Sequence, residues 1–251
     1  MEQQQKQGTK VLVTGAGGFI GSHLVTYLKE KGYWVRGVDI KYPEFSAADA
    51  DEFEILDLRR WDNCLQATRG VEEVYALAAD MGGMGFISAH HAQILYNNSL
   101  INLHTLEAAR TNGAKRYLYT SSACVYNEDL QKDADVKPLK EEDAYPARPQ
   151  DAYGWEKLFS EILCGYYAND YGIETRTVRF HNIFGEKGTW EGGREKVPAA
   201  LCRKIALAKL TGAREIEIWG DGEQTRSFCY INDCLEGIYR LMRSDFREPI
   251  N

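Results

Sequence analysis

No Cys-x-x-Cys pair and no cluster of histidines occurs in this chain, so the ligand spacings of a zinc site are not met. The 6 cysteines, Cys64, Cys124, Cys164, Cys202, Cys229 and Cys234, are scattered along 251 residues and read as separate reduced thiols of a cytoplasmic protein. The neighbours His90 and His91 do not repair the deficit, because adjacent helical residues point in different directions. No metal is expected. Long apolar runs are missing as well, none approaching the roughly 18 residues of a membrane span. Positive charge is not in excess: 30 Lys and Arg stand against 37 Asp and Glu, the net charge is −7, and the basic residues are scattered rather than striped. This argues against nucleic acid as the main partner, while a local basic pocket for one phosphorylated ligand stays open. Residues Met1 to Lys10 are polar and Gln-rich, lack the apolar centre of a signal peptide, and read as a loose tail.

What is present is ordinary globular composition, 44% hydrophobic and 27% charged, in a chain long enough for one large domain or one domain with a small appendage. Short β-branched runs at Lys10–Thr14, Tyr33–Val38, Glu52–Ile55, Glu73–Leu77, Arg116–Thr120 and Thr175–Arg179 read as strands. Helical periodicity falls between them, at Phe19–Lys31, Arg60–Thr68, Ile87–Thr111 and Tyr153–Asp170. Strand alternating with helix predicts an α/β, Rossmann-type doubly wound parallel sheet covered on both faces. After Phe184 the rhythm changes to a glycine- and charge-rich stretch, a helix near Pro198–Lys209 and a strand at Glu215–Trp219. We therefore expect a tail over 1–9, a dinucleotide-binding domain over 10–183, and part of a smaller C-terminal substrate-binding lobe over 184–251. Arg247 to Ile250 reads as the start of another element, so this lobe is expected to be cut short.

The first strand runs into Thr14-Gly15-Ala16-Gly17-Gly18-Phe19-Ile20-Gly21. Gly15 can make the tight turn, Gly18 can let the backbone approach a diphosphate, and Gly21 can let the helix pack closely on the strand. The helix opened by Phe19 and Ile20 presents free N–H groups and partial positive charge to the phosphates. Asp39 ends the second strand about 20 residues on, where a carboxylate can accept both ribose hydroxyls and repel a 2′-phosphate, so NAD is the expected cofactor. Arg36 and Lys41 stand close enough in sequence to rescue NADP instead. Asp57-Leu58 follows the third strand and serves either the adenine or a plain helix cap.

Tyr153 and Lys157 lie four residues apart on one helix face. A free phenol has a pKa of about 10, and a neighbouring ammonium favours the phenolate. The spacing by itself also describes an ordinary surface pair. Ser121-Ser122 ends a strand about 30 residues earlier and can complete a Ser-Tyr-Lys set. The glycine loop, Asp39, Leu77-Ala78-Ala79, Asn98, Ser122, Tyr153 and Lys157 come in the order and spacing of the extended short-chain dehydrogenase/reductases, and the resemblance runs from Lys10 to the chain's end. It implies that Arg179-Phe-His-Asn182 and Gly220 to Phe228 carry sugar-nucleotide contacts, with Asn182 on the diphosphate or sugar and Arg226 on a phosphate. A structural salt bridge is the other reading of Arg226. Paired long helices in that family imply a homodimer built on Ile87–Thr111 and Tyr153–Asp170.

Three segments depart from the generic pattern: Cys124 in Ser-Ser-Ala-Cys-Val-Tyr, Lys196 in Gly-Gly-Arg-Glu-Lys, and the glycine-rich run Ala79 to Phe86. Singly, Cys124 reads equally as a small buried apolar residue and Lys196 as part of a solvated loop. Together the segments resemble the GDP-mannose 3,5-epimerases. The resemblance implies that Tyr153 moves the C4 hydroxyl proton while NAD takes and returns the C4 hydride, and that Lys157 holds the nicotinamide ribose and depresses the Tyr153 pKa. Cys124 and Lys196 would be the acid/base pair acting at C3 and C5 of a GDP-sugar. Gly82, Glu195, Lys204, Gln224 and Thr225 would be further substrate contacts. The rivals are another nucleotide-sugar epimerase, such as a 4-epimerase, and a non-catalytic NAD-binding module. A 4,6-dehydratase is disfavoured, because Ala123-Cys124 stands where that group carries an Asp-Glu pair.

Overall fold

The computed structural model describes residues 8–131, 138–218, 220–223 and 225–251. Six strands, β1 (Lys10–Thr14), β2 (Trp34–Asp39), β3 (Glu52–Ile55), β4 (Glu73–Ala76), β5 (Arg116–Ser122) and β6 (Glu174–Phe180), form one sheet in the order β3-β2-β1-β4-β5-β6. Every pairing in it is parallel. The order reverses between β1 and β4, and ligands of open α/β sheets bind at such a switch point, outside the carboxyl ends of the strands. Both faces are covered, which is why β1, β4 and β5 are buried almost without a break rather than in alternation.

Side-chain alternation in β1 splits the core in two. Val11 and Val13 join Leu24 and Leu28 of α1 (Phe19–Glu30) on one face, and Leu12 joins the cluster on the other. That second cluster is built with α2 (Trp61–Thr68), α4 (His91–Thr111) and α5 (Ala152–Tyr171), through Cys64, Leu106, Ala109 and Cys164. Completing the first face is α7 (Ile231–Arg243), whose Ile231, Leu235, Ile238 and Met242 are buried beside α1. Each fully buried aliphatic chain of this kind contributes about 1.5–3 kcal/mol relative to exposure. At the chain's end Ile250 bridges to Val178 in parallel, its carbonyl accepting from the Arg179 N–H at 2.7 Å.

Two expectations fail. The helix expected over 87–111 is broken at His90, giving α3 (Met84–Ala89) and α4, because the His90 backbone leaves the helical region. Residues 215–218 are not a strand: the Glu-Ile-Glu-Ile alternation suits a pleat, but among the described residues no neighbouring edge offers a ladder, and Ile218 is exposed. Trp219 lies outside the described residues. The strands formed after β6 are instead β7 (Asn182–Phe184) and β8 (Phe228–Tyr230), a parallel pair flanking α6 (Val197–Thr211) in sequence.

Candidate active site

The glycine loop joins β1 to α1 at the switch point. Gly15 has φ +72°, a left-handed conformation that strains any side chain, and a Cβ there would sit 3.0 Å from the Ala78 nitrogen. A Cβ on Gly21 would overlap the Gly15 carbonyl, so the helix can approach the loop only without one. Gly17, which the sequence reading passed over, is equally constrained by the Lys41 carbonyl, and its N–H donates to Asp39 Oδ2 at 2.9 Å. Among the described residues no side chain caps α1 at its start and no acidic residue occupies its first turn. The N–H groups around Phe19 and Ile20 thus face an anion without competition.

Asp39 stands at the carboxyl end of β2 beside this loop, its Oδ1 accepting from the Ile40 N–H at 2.6 Å. Arg36 cannot rescue a 2′-phosphate here. Its guanidinium is committed to Glu52 at 2.9 Å and to the carbonyls of Ala67 and Arg69 at 2.9 and 2.8 Å. Lys41 does line the cavity beside Gly17 and Gly18, opposite Lys187. The Asp57 carboxylate is clasped by Arg59, 2.7 Å from Nη2, and its acidity is strengthened by that pairing. Asp57 does not cap a helix, since α2 begins at Trp61 without a side-chain cap bond. Leu58 is buried in the second core cluster. A loop that only glycine can form, an uncapped helix end and a carboxylate at the end of β2 together fit a dinucleotide.

At the neighbouring strand ends, Thr14 Oγ1 accepts from the N–H groups of Leu77 and Ala78, both at 3.1 Å, tying β1 to β4. Lys157 of α5 donates Nζ to the Thr120 carbonyl of β5 at 2.9 Å and lies 5.5 Å from the Tyr153 ring centroid. Tyr153 and Lys157 are 5% and 2% exposed, so the surface-pair reading is excluded. Burial pushes the Tyr153 phenol well above its ordinary value, with Cys124 and Glu156 adding to the effect and the Ser122 hydroxyl opposing it. Burial also pulls Lys157 down. The depression of Tyr153 expected from Lys157 is therefore not met in the folded chain, because removing both groups from water outweighs their attraction.

Ser122 Oγ accepts from the Cys124 N–H at 3.2 Å, which turns the chain after β5 and sets the thiol beside Tyr153. Asp151 caps α5 by accepting from the Gly154 N–H at 2.9 Å, fixing the entry of the helix. Burial raises the Cys124 thiol, while Ser122, Lys196 and Lys157 lower it. Lys196 is pulled down by burial, opposed by Cys124. The two candidate proton carriers therefore feel each other across the site, and both are biased toward their neutral forms.

The model of the NAD dependent epimerase/dehydratase family matches residues 11–251. The chain belongs to this family. Its cofactor is accordingly NAD, in keeping with the glycine loop and Asp39. Among curated proteins the chain is 55% identical over 244 residues to GDP-mannose 3,5-epimerase 1 of Oryza sativa subsp. japonica, covering 96% of this chain and 63% of that protein. It is 53% identical over 256 residues to GDP-mannose 3,5-epimerase of Arabidopsis thaliana, covering 100% of this chain and 67% of that protein. The chain thus spans about two thirds of the length of these relatives. The solved UDP-glucose 4-epimerase of Thermotoga maritima shares its fold at a TM-score of 0.83 and 24% identity, over 96% of this chain and 75% of that one.

Within this member of the family the remaining candidate residues divide. Gly82 and Glu195 lie where two loops meet: a Cβ on Gly82 would be 3.0 Å from Arg194 Cγ, and Glu195 accepts from the Gly193 N–H at 2.7 Å and from Arg203 at 3.1 Å. Asn182 zips β7 to the segment before β8, its amide donating to the Ser227 carbonyl at 3.0 Å. Lys204 of α6 donates to the Glu217 carbonyl at 2.7 Å. Thr225 and Arg226 are exposed, and the Arg226 guanidinium donates to the Thr225 carbonyl at 2.6 Å. Gln224 lies outside the described residues. Arg179, grouped by resemblance with the substrate contacts, is instead buried against Glu161, with Nη2 2.8 Å from its Oε2. The sequence reading also passed over Gly154, where a Cβ would overlap the Cys124 carbonyl. A glycine inside a helix costs about 1 kcal/mol against Ala, and that cost is itself a signal of close packing.

Proposed function

We propose that this chain carries the reaction centre of a GDP-mannose 3,5-epimerase, converting GDP-D-mannose to GDP-L-galactose and GDP-L-gulose. What supports the reading is the Cys124 thiol packed on the cluster of buried Tyr153, with the loop that bears Lys196 resting through Arg194 on Phe86 of the same cluster, since a simple 4-epimerase needs no second proton-moving pair. Identity of 53–55% to proteins bearing that name supports the choice of substrate. In this reading residues 10–183 hold the cofactor and residues 184–251 supply part of the substrate lobe.

NAD, when bound, supplies the reversible acceptor of the C4 hydride. Tyr153 holds and returns the proton of the C4 hydroxyl, with the Ser122 hydroxyl opposing the rise that burial gives its phenol. Lys157, fixed on the Thr120 carbonyl, keeps positive charge beneath the Tyr153 ring. Oxidation at C4 acidifies the protons on C3 and C5. A half-buried amine with a lowered pKa is suited to take such a proton and a thiol with a raised pKa to deliver one, so Lys196 and Cys124 form the inverting pair. Asn182 and Arg226 are assigned to the diphosphate and sugar, with Gly82, Glu195, Lys204, Gln224 and Thr225 lining the substrate.

Among the described residues no helix is long and apolar enough to cross a membrane. The reading places the enzyme in the cytoplasm as a homodimer paired through α4 and α5. Trp155, Phe159, Ile162 and Tyr166 recur at helical spacing on α5 and are exposed, as are Leu95 and Tyr96 on α4, an apolar face suited to self-association.

Proton NMR of GDP-mannose with the protein and NAD in D₂O tests the function. Deuterium entering C3 or C5, with new L-configured products, is the expected result. Unlabelled C3 and C5 alongside inversion at C4 would replace the reading with a 4-epimerase.

A further inference from the structure

Lys196 follows a glycine-hinged loop that leads into α6. Gly192 and Gly193 precede it with φ of +87° and +80°, a Cβ on either would meet open space, and the segment is tied to α6 by Arg203 donating to the Trp190 carbonyl at 2.9 Å. Three residues later the chain is fixed, since Lys196 is the N-cap of α6 and Glu195 is bound to Arg203 of that helix. What joins this segment to the sheet side of the site is Arg194. Its guanidinium lies 3.8 Å from the ring centroid of Phe86, and Nη1 donates to the Met81 carbonyl at 3.2 Å with Asp80 Oδ1 at 3.5 Å.

The receiving surface is rigid. Asp80 accepts from Gln93 at 2.9 Å and Asn97 at 2.8 Å, and its own N–H donates to Asn98 Oδ1 at 2.7 Å. These three partners all lie on α4. Phe86 is stacked from a second direction by His90, with centroids 4.5 Å apart and planes at 22°. It also packs with Met81 and Cys124 against the cluster of Ile87, Ile94 and Tyr153. The close approach needs Gly82 and Gly83: a Cβ on the first would stand 3.0 Å from Arg194 Cγ, and on the second 2.8 Å from the Glu195 carbonyl. Phe86 is therefore a plate shared between the Cys124–Tyr153 cluster and the arm that bears Lys196.

From this geometry we infer that Arg194 is a positioning residue, a latch that docks the Lys196 loop on Asp80 and Phe86 and so sets Lys196 opposite Cys124. It touches no reacting atom. The inference rests on the epimerase reading for its catalytic consequence, but the docking itself does not depend on the substrate. A guanidinium can stack flat on a ring and bond in its plane at once, which an ammonium cannot, so lysine is a poor replacement.

Three variants of the whole chain with NAD separate the possibilities: Arg194→Met, Arg194→Lys and, at the receiving side, Phe86→Leu. The first measurement is trace acetylation of the Lys196 amine by acetic anhydride, followed by mass spectrometry and normalised to Lys10. Arg194→Met should raise the Lys196 rate by about 5-fold or more as the loop undocks, with Arg194→Lys and Phe86→Leu between it and the parent. The second is the ratio of deuterium entry at C3 and C5 to transient absorbance of reduced cofactor at 340 nm. Arg194→Met should lower deuterium entry by about 10²-fold, as loss of a positioned acid or base does, and leave the absorbance change within about 3-fold.

An Arg194→Met protein with the parent's Lys196 acetylation rate overturns the latch, whatever its activity. A parallel fall of deuterium entry and cofactor reduction also overturns it, in favour of a substrate-binding or merely structural arginine. If the parent exchanges neither proton of GDP-mannose, the epimerase reading fails while the acetylation rates still decide the latch.

Discussion

Gly154 lies directly under the Cys124 carbonyl, and a Cβ on it would overlap that oxygen. The glycine follows Tyr153, so one missing methyl group lets the start of α5 and the turn after β5 share a single site. Gly154→Ala should force the two apart. Overpacking of this kind costs about 1–3 kcal/mol, and the displaced helix entry should also lower turnover by more than the stability loss explains. Thermal unfolding and deuterium entry measured on the same preparation give both values. A variant with normal turnover would show that the contact can be relieved without moving Tyr153.

The two proton carriers set a pH profile. Lys196 acts as a base above its pKa, which burial lowers, so the acidic limb of kcat/KM should fall below the free-lysine range near ~10.4. Cys124 acts as an acid below its pKa, which burial raises, so the alkaline limb should lie above the free-thiol value of about 8.5. Activity should rise with pH through the first and fall through the second. Cys124→Ser and Lys196→Met should each lower C3 and C5 exchange by about 10²–10⁴-fold and leave NAD binding intact. A profile whose limbs survive Lys196→Met unchanged would remove that residue from the proton path.

Much of this site is legible in the chain because its constraints are local. The run from Thr14 to Gly21 dictates its own turn, and the four-residue step from Tyr153 to Lys157 places both groups on one helix face whatever surrounds them. Contacts between distant segments leave weaker traces. The grip of Arg194 on Phe86 spans more than 100 residues, and nothing near Arg194 in sequence distinguishes it from a solvated charge. Arg179 was misassigned for the same reason, as its partner Glu161 lies on another element. The Glu215 to Ile218 alternation misled because a strand needs a neighbour that its own residues cannot specify. The reading also omits α7, although its signal is local: Ile231, Cys234, Leu235, Ile238 and Met242 recur at helical spacing and are all buried.

Asp39 offers a test of cofactor choice. Its carboxylate receives the Gly17 N–H at the end of β2, and Arg36 is held by Glu52 and two carbonyls. Asp39→Asn should weaken NAD binding by about tenfold, the loss of one charge-assisted hydrogen bond, without creating strong NADP binding. Titration calorimetry with both cofactors distinguishes this from a true switch. Tight NADP binding by the variant would mean that Lys41 can supply the missing cation.

Beneath the catalytic helix, Arg179 and Glu161 form a bidentate pair that is almost fully buried, with Arg179 also donating to the Glu141 carbonyl at 2.7 Å. Removing one partner strands the other charge in the core. Glu161→Ala should therefore cost about 3–5 kcal/mol, far more than any exposed pair such as Lys115–Glu72. Paired replacement by apolar residues of similar volume should recover much of that loss. Urea unfolding of the single and double variants measures both, and a single variant losing under about 1 kcal/mol would show that water reaches Arg179.

The apolar face of α5 gives the last test. Phe159 is 48% exposed and lies one turn from Trp155 and close to Ile162, all of them large and exposed. Water tolerates single exposed apolar side chains, but a row of them along one helix, beside Leu95 and Tyr96 of α4, favours burial against a second copy. Under this arrangement the interface and the site share a helix, because Tyr153, Glu156 and Lys157 are buried on the opposite face of α5. Phe159→Glu would place a carboxylate in the symmetric contact of each protomer, where it has no partner. Sedimentation velocity should then show a monomer where the parent forms a dimer. The monomer should keep its NAD affinity, since the glycine loop lies between β1 and α1 and not on α5. A parent that sediments as a monomer across the concentration range would leave the α5 row to another partner and withdraw the homodimer.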